Sequence, residues 1–109
     1  MDGTDEDPPI HTTLHDPDLQ EVLDRFVVGL GERIDHLQDE EIAGDWRNLA
    51  TLATALAADA VRFGYPPLAE AANAVEKACS AGNPEGIRKR LLELTEIGRR
   101  VRLGHRSAA

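Results

Sequence analysis

From Leu19 onward the apolar residues fall at Leu19, Leu23, Phe26, Leu30, Ile34 and Leu37, in steps of three and four. That spacing lines one face of an α-helix and predicts an amphipathic helix of about six turns. A second series, Trp46, Leu49, Ala53, Leu56, Ala60 and Phe63, runs without a slip. A third is Leu68, Ala71, Ala72, Val75, Ala78 and Cys79, on a helix from about residue 67 to 80. A fourth is Ile87, Leu91, Leu94, Gly98 and Val101. The connections repeat one stop-and-start grammar. Asp16 can cap the first helix, with Pro17 in its first turn. Gly44 stops it and Asp45 caps the second; Gly64 stops the second and Pro66-Pro67 starts the third. Gly82 stops the third, Asn83 caps the fourth, and Pro84 takes its first position. No period-two run competes, and the short connections predict an all-α antiparallel four-helix bundle.

Around the bundle, residues 1–9 read as a disordered acidic tail. Residues 10–104 form the bundle, and residues 105–109 read as a C-terminal tail holding His105. The segment from Ile10 to Asp16 has no clear period and reads either as a short turn or as a strap against the bundle. Gly29 and Gly31 lie off the stripe of the first helix and mark a place where it can bend.

The outer side of the second helix differs from the rest of the chain. The stretch "TLATALAADAV", Thr51 to Val61, carries one charge, Asp59, in a protein that is 29% charged. At 100° per residue the outward positions are Arg47, Thr51, Thr54, Ala55, Ala58 and Arg62, with Val61 at their edge. Long charged side chains are absent from the middle turns, so a large partner can come close to the backbone. Alanine is also the best helix former, and an Ala-rich surface needs no purpose for that reason alone.

Composition narrows the function classes. The chain has 109 residues, enough for one modest core. Hydrophobic residues make up 41% and aromatics 4%, so the core is built from aliphatic side chains, which suits packed helices. A net charge of −8 argues against non-specific nucleic-acid binding and against anionic membrane surfaces. The charge is lopsided: residues 1–45 hold 14 acids and 2 bases, residues 46–109 hold 6 acids and 10 bases. Cys79 is the single cysteine, which leaves no intrachain disulfide and points to a reducing, cytoplasmic setting. No apolar run is long enough to span a bilayer, and the acidic N-terminus lacks the apolar region of a signal peptide.

Candidate chemistry is sparse. His36 sits beside the stripe of the first helix and reads as a solvated side chain. His11 and His15 have i, i+4 spacing, which can hold a metal on a helix, but "HTTLHDP" is a poor helix former. Cys79 reads as a small buried residue. Trp46 and Phe63 bracket the seam of the second helix as core residues, while Tyr65, at the turn into the third, can sit at the rim of a docking face. No nucleophile–base pair, paired carboxylates or phosphate loop is visible. The expectation is a protein that is not an enzyme and holds no cofactor and no metal.

The stretch "LATLATALAADAVRFGYPPLAEAANAVEKA" resembles the histidine phosphotransfer (HPt) domains of bacterial two-component signalling. The family pattern A-H-x-L-K-G-x-A-x-x-x-G-x-x-x-L is met without a gap at Ala53, Leu56, Ala60, Gly64 and Leu68. Ala72 and Glu76 meet the A-x-x-L-E that follows, with Val75 for its Leu. "DPDLQEVLDRFVVGLGERIDHLQ" is similar to the first helix of the family and "LLELTEIGRRVRLG" to its closing helix, so the resemblance covers roughly residues 14–104. The departures fall where the chemistry belongs. The phosphoacceptor His position is Thr54, the neighbouring Lys is Ala57 and the following Gly is Ala58. In the family the imidazole attacks the phospho-aspartate of a receiver domain; a threonine hydroxyl without an adjacent base does not replace it. The resemblance therefore implies a pseudo-phosphotransfer domain. It would dock a response-regulator receiver or a hybrid histidine kinase through Arg47, Thr51, Thr54, Ala55, Ala58, Val61 and Arg62, as a monomer in the cytoplasm. Two other readings stand beside it: a structural or self-associating bundle, and a regulatory module controlled by phosphorylation of Thr54.

Overall fold

Glycines in left-handed backbone close the first three helices and so set where each one turns. The structure is a computed structural model that describes residues 8–108. Helix α1 spans Gln20–Ala43, α2 Trp46–Arg62, α3 Pro66–Ala81 and α4 Pro84–Ala108. Gly44 ends α1 at φ 77° and Gly82 ends α3 at φ 70°, conformations in which a Cβ is costly. Asp45 caps α2, its carboxylate accepting from the backbone N–H of Asn48 at 3.0 Å. Asp16 caps a short 3-10 turn, Pro17–Leu19, that leads into α1. Each helix packs on its two neighbours in a closed ring, α1 on α2, α2 on α3, α3 on α4 and α4 on α1. This is the expected four-helix bundle.

The core follows the apolar stripes. Leu23, Phe26, Leu30, Ile34 and Leu37 of α1 are buried, as are Leu49, Ala53, Leu56 and Ala60 of α2. The third and fourth stripes contribute Leu68, Ala72, Val75, Cys79, Ile87, Leu91, Leu94 and Val101. The most extensive helix pair is α2 with α3, where Ala53, Ala57, Ala60, Ala69 and Ala72 are all buried. Side chains that small let two helix backbones approach closely. A polar link joins α1 to α4, Gln38 Nε2 donating to Thr95 Oγ1 at 3.0 Å.

Several positions differ from the expectation. Trp46 is half-buried at the end of the bundle rather than in its core, because it opens α2 where the ring of helices ends. Ala71 and Ala78 are likewise only half-buried. Residues 105–108, expected as a tail, continue α4 to Ala108. His105 is held there, half-buried, with its Nε2 2.6 Å from Asp24 Oδ1 of α1. The acidic tail expected over 1–9 lies outside the described residues up to position 7.

The segment after it is a strap. Arg100 Nε donates to the Pro8 carbonyl at 2.8 Å, and Ile10 N donates to the Arg100 carbonyl at 2.9 Å. Thr12 Oγ1 then donates to the Phe63 carbonyl at 2.6 Å. The strap so crosses from α4 to the α2–α3 turn and covers one end of the bundle. Beneath that end Phe26 stacks on Phe63 at 4.9 Å and on Tyr65 at 6.1 Å between ring centroids.

Candidate functional site

Helix α2 carries the candidate face, and the ring of helices decides which of its residues reach solvent. Its inner side is taken up by α1 and α3. What remains outside is Arg47, Thr51, Thr54, Ala55, Ala58, Val61 and Arg62, and all seven are exposed. Val61 is the large apolar member, 67% exposed. The hydroxyl of Thr51 donates to the Arg47 carbonyl one turn back at 3.1 Å. Arg62 lies over the Phe63 ring, 5.6 Å from its centroid. Between these two ends the surface is made of methyl groups and the Thr54 hydroxyl.

The charge within this stretch is turned aside. Asp59 accepts from Arg33 of α1 at 2.8 Å, so it sits on the α1 flank and not on the outer face. Asn48, the third residue of α2, likewise reaches back to Glu40 of α1 at 2.8 Å. The shared flank thus carries the polar pairs between α1 and α2, and the outer face keeps none.

Of the three positions aligned with the phosphotransfer motif, Thr54 and Ala58 lie on this face. Ala57 does not: it is 5% exposed and packs inward. A lysine there would have to thread its stem past a neighbouring helix before its ammonium met water. The Thr54 hydroxyl has no hydrogen-bond partner among the described residues, and no histidine or carboxylate activates it.

The remaining candidates fall elsewhere. His36 is exposed on α1 with its Nε2 3.3 Å from Glu40. His11 and His15 lie on the strap, outside any helix, and among the described residues no group of histidine, cysteine or acidic side chains has the arrangement of a metal site. Cys79 is buried, and burial followed by the Glu76 carboxylate pushes its thiol pKa up. Tyr65 is not at the rim of the α2 face. It is 0% exposed beneath the strap, and burial raises its phenol pKa. Helical periodicity had no means of placing it, because Tyr65 is the capping residue before α3 and its direction is set by the turn.

The exposed face is therefore small and uncharged at its middle and cationic at both ends. Among the described residues no helix is long and apolar enough to cross a membrane. No protein-family model, no curated protein and no solved structure matches the chain.

Proposed function

We propose that this chain is a pseudo-phosphotransfer domain that binds the receiver domain of a response regulator, or the receiver of a hybrid histidine kinase, through the outer face of α2. The observation that carries the reading is the exposure of Thr54 at the middle of that face, with only short side chains around it and Arg47 and Arg62 beyond them. A receiver presents an acidic phosphorylation pocket bordered by apolar groups. The α2 face matches this in kind, with apolar contact at the centre and guanidinium groups placed for carboxylates. The domain sequesters or scaffolds its partner and transfers no phosphoryl group, because threonine at position 54 lacks both the imidazole and an activating base. Such a module acts in the cytoplasm, as a monomer, without a cofactor or metal.

The test is a pairwise binding screen of the protein against receiver domains from the same source, by calorimetry. Binding that is lost in Thr54→Arg and in Ala58→Glu supports the face; failure of every receiver to bind overturns the proposal. The unpartnered, exposed Thr54 hydroxyl also favours a second reading, in which a Ser/Thr kinase phosphorylates it. That adds about −1.5 to −2 charges and closes the face to an acidic partner. Mass spectrometry of protein from its native cell decides this: an unmodified Thr54 under all signalling conditions removes that reading.

A further inference from the structure

At the end of the bundle where the strap crosses, a cavity of about 580 Å³ lies beside it, within the range of small-molecule sites, roughly 300–1,000 Å³. Leu14 of the strap, Leu19 and Leu23 at the start of α1, Tyr65 from the α2–α3 turn, and Gly104 and His105 of α4 line it. Separate parts of the chain thus converge on one mostly apolar space.

Tyr65 supplies the independent sign that something belongs there. Its side chain is completely buried, and its hydroxyl is the one buried side-chain polar atom among the described residues with no hydrogen-bond partner. Folded proteins seldom leave such an atom unmet. His11 and His15 of the strap also line the cavity, on exposed positions, whereas its two carboxylates are engaged. Asp24 Oδ1 accepts from Gln20 Nε2 at 2.9 Å and lies 2.6 Å from His105 Nε2. Asp16 Oδ1 accepts from the backbone N–H of Asp18 at 2.9 Å. Both carboxylates repel an anion, and the Asp24 carboxylate already faces an imidazole.

We propose that this cavity binds a small neutral organic molecule, with an apolar body against Leu14, Leu19 and Leu23 and one oxygen that accepts a hydrogen bond from the Tyr65 hydroxyl. The strap acts as its door. While the strap is seated the hydroxyl is sealed from solvent, so a ligand reaches it only as the strap shifts. Ile10 anchors the strap in the core, and the bonds from Ile10, Thr12 and Thr13 with the contact from Arg100 to Pro8 hold residues 8–13. Leu14 and His15 make no hydrogen bond to the bundle among the described residues, so this end of the strap is the part that shifts. Loops held by few bonds open far more readily than the core they cover.

Cyclohexanone is a suitable probe, titrated into the full chain while the leucine methyl resonances are followed by NMR. Saturable shifts at Leu14, Leu19 and Leu23 are expected. Tyr65→Phe keeps the ring and removes the donor; it should weaken binding about fivefold, the worth of one hydrogen bond of about 1 kcal/mol, without lowering the melting temperature. Leu19→Trp fills the cavity and should abolish the shifts at Leu14 and Leu23. Cyclohexanecarboxylate should bind at least fivefold more weakly than cyclohexanone. The proposal is overturned if no saturable shift occurs, or if Tyr65→Phe binds as well as the wild type. It is equally overturned if Tyr65→Phe melts lower, which would mean that the hydroxyl already has a partner, or if the carboxylate binds as tightly as the ketone.

Discussion

The backbone N–H of Thr13 donates to the carbonyl of Gly64 at 2.8 Å, and this bond ties the strap to the turn between α2 and α3. Gly64 is suited to it twice over. Its φ is 80°, and a Cβ there would sit 2.7 Å from the hydroxyl oxygens of both Thr12 and Thr13. The same glycine follows Phe63, the C-terminal cap of α2, so one position both ends that helix and seats the strap.

Gly64→Ala should therefore destabilise the fold by about 2–4 kcal/mol, adding the crowding of the strap to roughly 1–2 kcal/mol for left-handed backbone. Gly44→Ala is the matched control. Its φ is also positive, 77°, but a Cβ there meets nothing within 4 Å, so it should lose only the backbone part. Urea denaturation of the two variants measures the difference, and equal losses would mean that the strap adds no constraint.

Thr54→Arg and Ala58→Glu lie on exposed positions and should leave stability within about 0.5 kcal/mol of the wild type. Both should weaken receiver binding at least tenfold. Melting curves run beside the calorimetry separate a blocked face from a damaged fold. A variant that melts early and binds weakly would say nothing for the face, whereas normal melting with normal binding removes it.

Thr54→His places an imidazole on the exposed face without touching the core, and on the proposed reading it should gain acid-labile phosphorylation from a phosphorylated receiver that the wild type lacks. Ala57→Lys should behave differently. Its position is 5% exposed, so forcing a lysine into that packing should cost about 1–3 kcal/mol. Radiolabel transfer and denaturation, run on both variants, test the pair of expectations.

The pair Arg33 and Asp59 is partly exposed, with side chains 35% and 38% accessible. A double-mutant cycle to alanine should give a coupling of about 0.2–1 kcal/mol at low salt, and less at 1 M salt. A coupling that does not respond to salt would place the pair in a drier setting than this.

Alkaline pH should weaken the fold. Burial raises the Cys79 thiol above its ordinary 9.0 and the Tyr65 phenol above its ordinary 10.0. The native state thus holds both protons more tightly than the unfolded chain. Their contribution is complete below the ordinary thiol value and is lost as pH rises through the native pKa values. Stability measured in urea from pH 8 to 11 should fall from about pH 9 upward, and Cys79→Ala with Tyr65→Phe should flatten that fall. Below pH 9 native Cys79 should react with a disulfide reagent at least tenfold more slowly than in the unfolded chain.

Four helices, their turns and most of their inner residues were legible in the order of amino acids, because local forces decide them. A period of 3.6 marks the buried side of Leu23 to Leu37 whichever neighbour covers it, and a glycine such as Gly44 ends a helix through its own backbone. The exposure of Thr54 and its short neighbours followed from the same geometry. Other outcomes depended on segments distant in sequence. Ala57 is buried because α3 lies close against α2. Tyr65 is buried because residues 10–14 return across the turn, some fifty positions away in the chain. His105 is helical and held because Asp24 of α1 stands opposite it. Periodicity describes one helix and its own two sides. Which element covers each side, and which hydroxyl is left beneath it without a partner, is settled only when packing brings the distant segments together.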